Sequence, residues 1–128
     1  MIYLDTSVAL AHLLAEERVP PAELWANTLV SSRLLEYELW ARVHARRLSQ
    51  THGPLVRELL GRIALVELAP PVLARAVEAF PAPVRTLDAL HLASLDFLRE
   101  QGQDVALASY DARMLAVARR LSITIAAL

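Results

Sequence analysis

Neither cysteine nor lysine occurs anywhere in the chain, and glycine appears only three times. Without cysteine there is no disulfide, thiol nucleophile or thiolate metal site, so any metal must be held by oxygen or by histidine nitrogen. Without lysine, all 13 cationic side chains are arginine, which removes Schiff-base chemistry and the phosphate-binding lysine of a P-loop. An excess of positive charge is lacking as well. Thirteen basic against 14 acidic residues leave a formal net charge of −1, too little to hold nucleic acid by counterion release over a broad basic surface. A nucleic-acid role would need positive charge from another source. No apolar run approaches the roughly 20 residues of a bilayer-spanning helix. The opening Met1-Ile2-Tyr3-Leu4-Asp5 has no basic region and an acid at position 5, unlike a secretory leader. The expectation is a soluble, cytoplasmic protein with no membrane association.

What is present is a hydrophobic content of 55% spread over the whole length, which favours a single domain over residues 1–128. Ile2-Tyr3-Leu4 reads as a short strand ending at Asp5-Thr6-Ser7, with a helical pattern from Val8 to Leu14. A short helix near Ala22 to Ala26 precedes a second strand at Thr28-Leu29-Val30, ending in Ser31-Ser32, and a helix from about Leu34 to Arg47 follows. His52-Gly53-Pro54 is expected to break that helix and open another through about Leu60. Ile63 to Leu68 reads as a third strand closed by Pro70-Pro71, and Val72 to Phe80 as a helix. After a loop over Pro81 to Val84, Thr86 is expected to cap a long helix from Leu87 to Glu100, ended by Gly102. Val105 to Ala108 is a fourth strand, Asp111 to Arg120 a terminal helix, and Ser122 to Ile125 a last β-prone run. Strands alternating with helical crossovers imply a three-layer α/β/α fold with a central, mainly parallel sheet. In such sheets ligands gather beyond the carboxyl ends of the strands.

That rule directs attention to particular acids. Asp5 and Asp111 each follow a strand, and each has a plain alternative role as a helix N-cap. Both lie at the carboxyl edge of the same expected sheet, where two negative charges repel unless a cation lies between them. Asp88 falls in the first turn of its helix, where the helix dipole alone would favour it. His91 follows one turn later, flanked by Leu90, Leu92 and Ala93; that setting suits a structural hydrogen-bonder better than a ligand. On the third helix Glu38 has Leu34, Leu35 and Ala41 as neighbours, whereas Glu36 has more polar ones. A carboxylate among apolar side chains is costly unless paired or metal-bound, so Glu38 is the stronger candidate, with pairing to Arg42 as the alternative. Glu16, Glu17, Glu58, Glu67, Glu78, Asp96, Glu100 and Asp104 read as solvated.

With these positions set out, the chain resembles the PIN-domain family, and within it the small VapC-like toxins, over nearly its whole length. Met1-Ile2-Tyr3-Leu4-Asp5-Thr6-Ser7 is similar to the family's opening strand and first acid. Ser31-Ser32-Arg33-Leu34-Leu35-Glu36-Tyr37-Glu38-Leu39 resembles the second motif, aligning the acid with Glu38. Thr86-Leu87-Asp88-Ala89-Leu90-His91-Leu92-Ala93 resembles the third, and Ala108-Ser109-Tyr110-Asp111 the fourth. Trp40-Ala41-Arg42 departs from the pattern by lacking a small glycine often found nearby. The resemblance implies an acidic pocket of Asp5, Glu38, Asp88 and Asp111, with Thr6 and Ser109 as supporting hydroxyls, holding Mg²⁺ or Mn²⁺. It also implies hydrolysis of RNA to products with a 5′-phosphate and a 3′-hydroxyl, a cognate antitoxin and a homodimer. The bound ion would then supply the positive charge that the surface lacks. Arg42, Arg46, Arg47 and Arg85 are candidates for steering RNA phosphates. Trp25, Tyr37 and Trp40 suit either a partner interface or the core. A phosphoacceptor receiver domain resembles this chain less, because it needs a lysine. A haloacid-dehalogenase-like phosphatase would want an acid where Ser7 stands. The non-enzymatic alternative is a PIN-fold module that binds RNA or protein without cutting it.

Overall fold

A computed structural model describes all residues from Met1 to Leu128. Its centre is a five-stranded sheet of β1 (Ile2–Leu4), β2 (Leu29–Ser32), β3 (Ala64–Val66), β4 (Ala106–Ala108) and β5 (Thr124–Ile125) in the order β3-β2-β1-β4-β5. Every pairing is parallel. Six helices make the crossovers: α1 (Thr6–Leu13), α2 (Leu34–Ala45), α3 (Ser49–Leu60), α4 (Pro70–Ala76), α5 (Thr86–Glu100) and α6 (Ala112–Arg120). No helix is long and apolar enough to cross a membrane.

The two-residue period of a strand sends successive side chains to opposite faces. Leu4, Leu29 and Ala108 join Val8, Leu35, Leu39 and Val56 in a core beneath α1, α2 and α3. Tyr3, Val30 and Leu107 point the other way, into a second core with Leu92, Leu95, Met114 and Val117 of α5 and α6. The sheet is thus buried on both sides, as the near-continuous apolar character of its strands requires.

The observed elements depart from the expected ones in ways that have physical causes. Residues Ala22–Ala26 form a 3-10 helix rather than an α-helix. His52-Gly53-Pro54 does not break a helix, because α3 runs through it from Ser49. The interruption falls earlier, after Ala45, where Arg47 takes a left-handed conformation with φ of 57°. Pro54 forfeits one backbone hydrogen bond. Gly53 is buried there, where an added side-chain carbon would come within 3.5 Å of the Trp40 indole. Pro70-Pro71 opens α4 instead of only closing β3, consistent with proline's fit to the first helical turn. Strands β3 and β5 are shorter than the apolar runs that suggest them. Thr86 is the first residue of α5 and makes no capping hydrogen bond; Arg85 occupies the cap position.

Asp96 is not solvated as expected. Its side chain is 14% exposed and accepts from Arg75 Nε of α4 at 3.0 Å and from Arg99 Nη1 at 3.1 Å. This clamp joins α4 to α5 across a half-buried interface, so Asp96→Ala would leave Arg75 poorly paired. The variant is expected to lose roughly 1–3 kcal/mol, between exposed and buried ion-pair values, as read from the midpoint of urea unfolding.

Candidate active site

The register of the central strands assembles the first part of the site. Leu4 of β1 lies opposite Ala108 of β4, so the next residues, Asp5 and Ser109, leave the sheet side by side. Ser109 Oγ donates to Asp5 Oδ2 at 2.8 Å, and Ser7 Oγ donates to the same oxygen at 2.7 Å. Asp5 occupies the N-cap position of α1 but makes no capping bond with its side chain, so the plain structural role does not account for it. At 5% exposure, its carboxylate is nearly buried.

Glu38 enters from α2. Its Oε1 accepts from Thr6 Oγ1 at 2.8 Å and lies 2.6 Å from His91 Nε2 on α5. It forms no ion pair with Arg42. Asp88 and Asp111 complete the group. Asp111 does cap α6, accepting from the N–H groups of Arg113 and Met114 through Oδ1 at 2.9 and 3.2 Å. Its other oxygen, Oδ2, accepts from Arg85 Nη2 at 2.8 Å, and Arg85 Nε reaches Asp88 Oδ2 at 3.2 Å. Burial pushes the Asp88 carboxyl above its usual range, opposed by Arg85 and reinforced by Asp111 and Asp5, so these acids share one electrostatic environment.

Asp5, Glu38, Asp88 and Asp111 all line a single open cleft of about 480 Å³, together with Arg42 and Arg85. No three of the acids stand in a cluster tight enough to hold an ion without rearrangement. A guanidinium instead spans two of them. Where a cation is expected between repelling carboxylates, the chain supplies Arg85, which pairs with both Asp88 and Asp111 while its side chain stays 65% exposed. Arg46 and Arg47 are exposed and lie outside the cleft lining.

The four carboxylates share a common plan. On Asp5, Glu38 and Asp111, one oxygen is held by hydroxyl, imidazole or backbone donors. The other oxygen is left either without a protein donor or facing only the exposed Arg85; Asp88 likewise uses one oxygen, on Arg85. Asp5, Glu38 and Asp88 therefore each keep an oxygen free of protein donors, and Asp111 keeps one held only by the exposed Arg85.

The PIN domain family model matches residues 2–120. This chain belongs to the PIN-domain family. Among its relatives in Mycobacterium tuberculosis, Ribonuclease VapC47 is 30% identical over 94% of this chain and 92% of its own length. Ribonuclease VapC35 is 30% identical over 99% and 96%. The crystal structure of M. tuberculosis VapC20, described as a sarcin-ricin loop cleaving toxin, superposes with a TM-score of 0.65 at 20% identity, covering 91% of this chain and 94% of that one. The three-layer PIN fold is shared between the two.

Several participants in this PIN-domain site escape sequence reasoning. Tyr3 OH lies 2.7 Å from His91 Nδ1, linking the first strand to the long helix across 88 residues. Asp88 and His91 are a helical turn apart, yet His91 turns to Glu38 instead of pairing with Asp88. Ser7 does more than cap: besides holding Asp5 it accepts from the Tyr110 N–H at 2.9 Å, tying the loop before Asp111 to α1. Of the aromatics considered for an interface, Tyr37 is 66% exposed, whereas Trp25 and Trp40 are partly buried against the first core.

Proposed function

We propose that this chain is a divalent-metal-dependent endoribonuclease, the toxin of a toxin–antitoxin pair, with Asp5, Glu38, Asp88 and Asp111 as its metal-holding and catalytic carboxylates. The observation that carries this reading is the plan of the four acids, three with an oxygen free of protein donors and Asp111 with one held only by the exposed Arg85. Asp5 is held only by hydroxyl donors, which leave its negative charge uncompensated within the protein, a costly arrangement for a carboxylate shielded from water. Such an all-oxygen donor set fits the hard ions Mg²⁺ and Mn²⁺.

When bound, a divalent ion would activate water and stabilise charge on the phosphoryl oxygens during phosphodiester hydrolysis. The chain's own contribution is position and charge. Ser7 and Ser109 fix the orientation of Asp5, and Thr6 that of Glu38. Arg85 is 65% exposed and has room to leave Asp88 and Asp111 for a phosphate of the substrate. Arg42 belongs both to this cleft and to an adjoining groove lined by Arg18 and Tyr110. That groove offers a path for nucleotides next to the cut, with an aromatic ring for an unpaired base to stack on. The proposal extends to a homodimer and to a cognate antitoxin that covers the cleft.

The test is incubation of purified protein with tRNA and structured RNA in the presence of Mg²⁺, Mn²⁺ or a chelator. Cleavage is expected with metal, lost with chelator and restored when the ion is returned. Cutting that survives chelation rejects the metal mechanism. Binding without cutting under every condition favours an interaction module. Light scattering on the eluting protein reads the oligomeric state.

A further inference from the structure

Behind Glu38 of the cleft lies His91, 1% exposed, with partners on both Nδ1 and Nε2. Glu38 is acceptor-only when ionised, so the Nε2 that lies 2.6 Å from Oε1 carries the proton. On the opposite side, Tyr3 OH sits 2.7 Å from Nδ1. A phenol carries a donor hydrogen, so with Nε2 protonated the unprotonated Nδ1 is its acceptor. The Tyr3 and His91 rings meet edge to face, 5.8 Å apart at 85°. Thr6 Oγ1 closes the group, donating to Glu38 Oε1 while lying 3.1 Å from His91 Nε2. No buried side-chain polar atom is left without a partner.

From this arrangement we infer that His91 is a positioning residue for Glu38: the Tyr3–His91 pair locks the imidazole with its proton on Nε2, and that proton holds Glu38 Oε1 so that Oε2 is presented to the cleft. The inference rests on the metal-binding role of Glu38 proposed above. It assigns a task to two residues outside the acidic set, Tyr3 in the centre of the sheet and His91 in the core of α5. The chain Tyr3–His91–Glu38 is the counterpart of the paired hydroxyls on Asp5, with an imidazole supplying the reach that a serine on α5 would lack. Orientation of this kind governs how well a carboxylate binds an ion more than whether the protein folds.

Two substitutions separate the ends of this chain. In His91→Gln the amide nitrogen falls near the original Nε2 and can still donate to Glu38. In His91→Asn the shorter amide falls near Nδ1, able to meet Tyr3 but not Glu38. Mn²⁺ affinity is measured directly by titration calorimetry in the absence of RNA, and melting temperature is recorded for each variant. His91→Asn is expected to weaken Mn²⁺ binding by about 10–100-fold, with His91→Gln recovering most of that loss. Tyr3→Phe, which removes only the hydroxyl, is expected to weaken it by about tenfold. That variant carries the test if His91→Asn does not fold.

Should His91→Asn bind Mn²⁺ as tightly as the parent protein, His91 has no positioning role. The role is equally excluded if both His91 variants lose affinity to the same extent and in step with their melting temperatures, which is what a space-filling histidine would show. Glu38→Gln and Asp5→Asn are run alongside. If those two also leave Mn²⁺ binding unchanged, the metal site itself is wrong. If they abolish it while His91→Asn does not, only the role of His91 is overturned.

Discussion

Asp5→Asn is expected to reduce RNA cleavage on the order of 1,000-fold, the rate equivalent of several kcal/mol of lost charge stabilisation. Its melting temperature is expected to be unchanged or slightly raised. The expectation follows from what the substitution keeps and what it removes. Asparagine has the shape of aspartate, and its amide oxygen can still accept from Ser7 and Ser109, so the packing at the end of β1 survives. What goes is one negative charge from a cleft already crowded with Asp88 and Asp111, whose repulsion helps to hold the Asp88 carboxyl above its usual range. Removing that repulsion favours the fold and disfavours the ion. The residual activity should match that of the parent protein in chelator. Cleavage at the parental rate, with Mn²⁺ binding intact, would remove Asp5 from the mechanism.

The largest effect on stability is expected from Leu92→Ala. Leu92 is fully buried on α5, in the core shared by Tyr3, Val30, Leu107 and Met114. Truncating such a residue costs about 3 kcal/mol, through lost transfer energy and the cavity left behind, a large fraction of the margin by which a domain of this size stays folded. A fall of roughly 10 °C in melting temperature would register it. Position gives this cavity a second consequence. Leu92 adjoins His91 and sits one turn beyond Asp88 on the helix that carries both. Metal affinity should therefore fall by more than the Asp96→Ala change causes, since Asp96 lies near the far end of α5. Equal losses of affinity in the two variants would show that α5 responds as a rigid rod.

These expectations draw on contacts of different legibility. The strand-and-helix alternation, the parallel sheet and the placement of Asp5, Glu38 and Asp111 relative to their elements can be read directly, because short-range periodicity and capping chemistry encode them. Apolar helical neighbours separate Glu38 from Glu36, and the Glu38 side chain is indeed the less exposed, 18% against 44%. At His52-Gly53-Pro54, by contrast, packing overrides strong local breakers. Gly53 gives α3 its close approach to Trp40, and one missing hydrogen bond does not outweigh that. Asp96 escapes a local reading for a related reason. Its partner Arg75 belongs to another helix, and nothing within one helix announces a neighbour 21 residues away. Larger separations, of 88, 53 and 26 residues, hide the Tyr3–His91 and His91–Glu38 contacts and the bridge from Arg85 to Asp111. Side-chain partners across a sheet edge are properties of the folded whole.

The placement of β1 between β2 and β4 carries a consequence for the timing of activity. The strand that leads into the first acid is made well before its neighbour β4 and Asp111 just beyond it: Asp5 and its partner Ser109 are separated by 104 residues. A nascent polypeptide that has passed β1 but not β4 lacks one wall of the cleft and one side of its central strand. Hydrolysis of RNA at this cleft must therefore wait until the ribosome has passed Asp111 and β4 has docked beside β1.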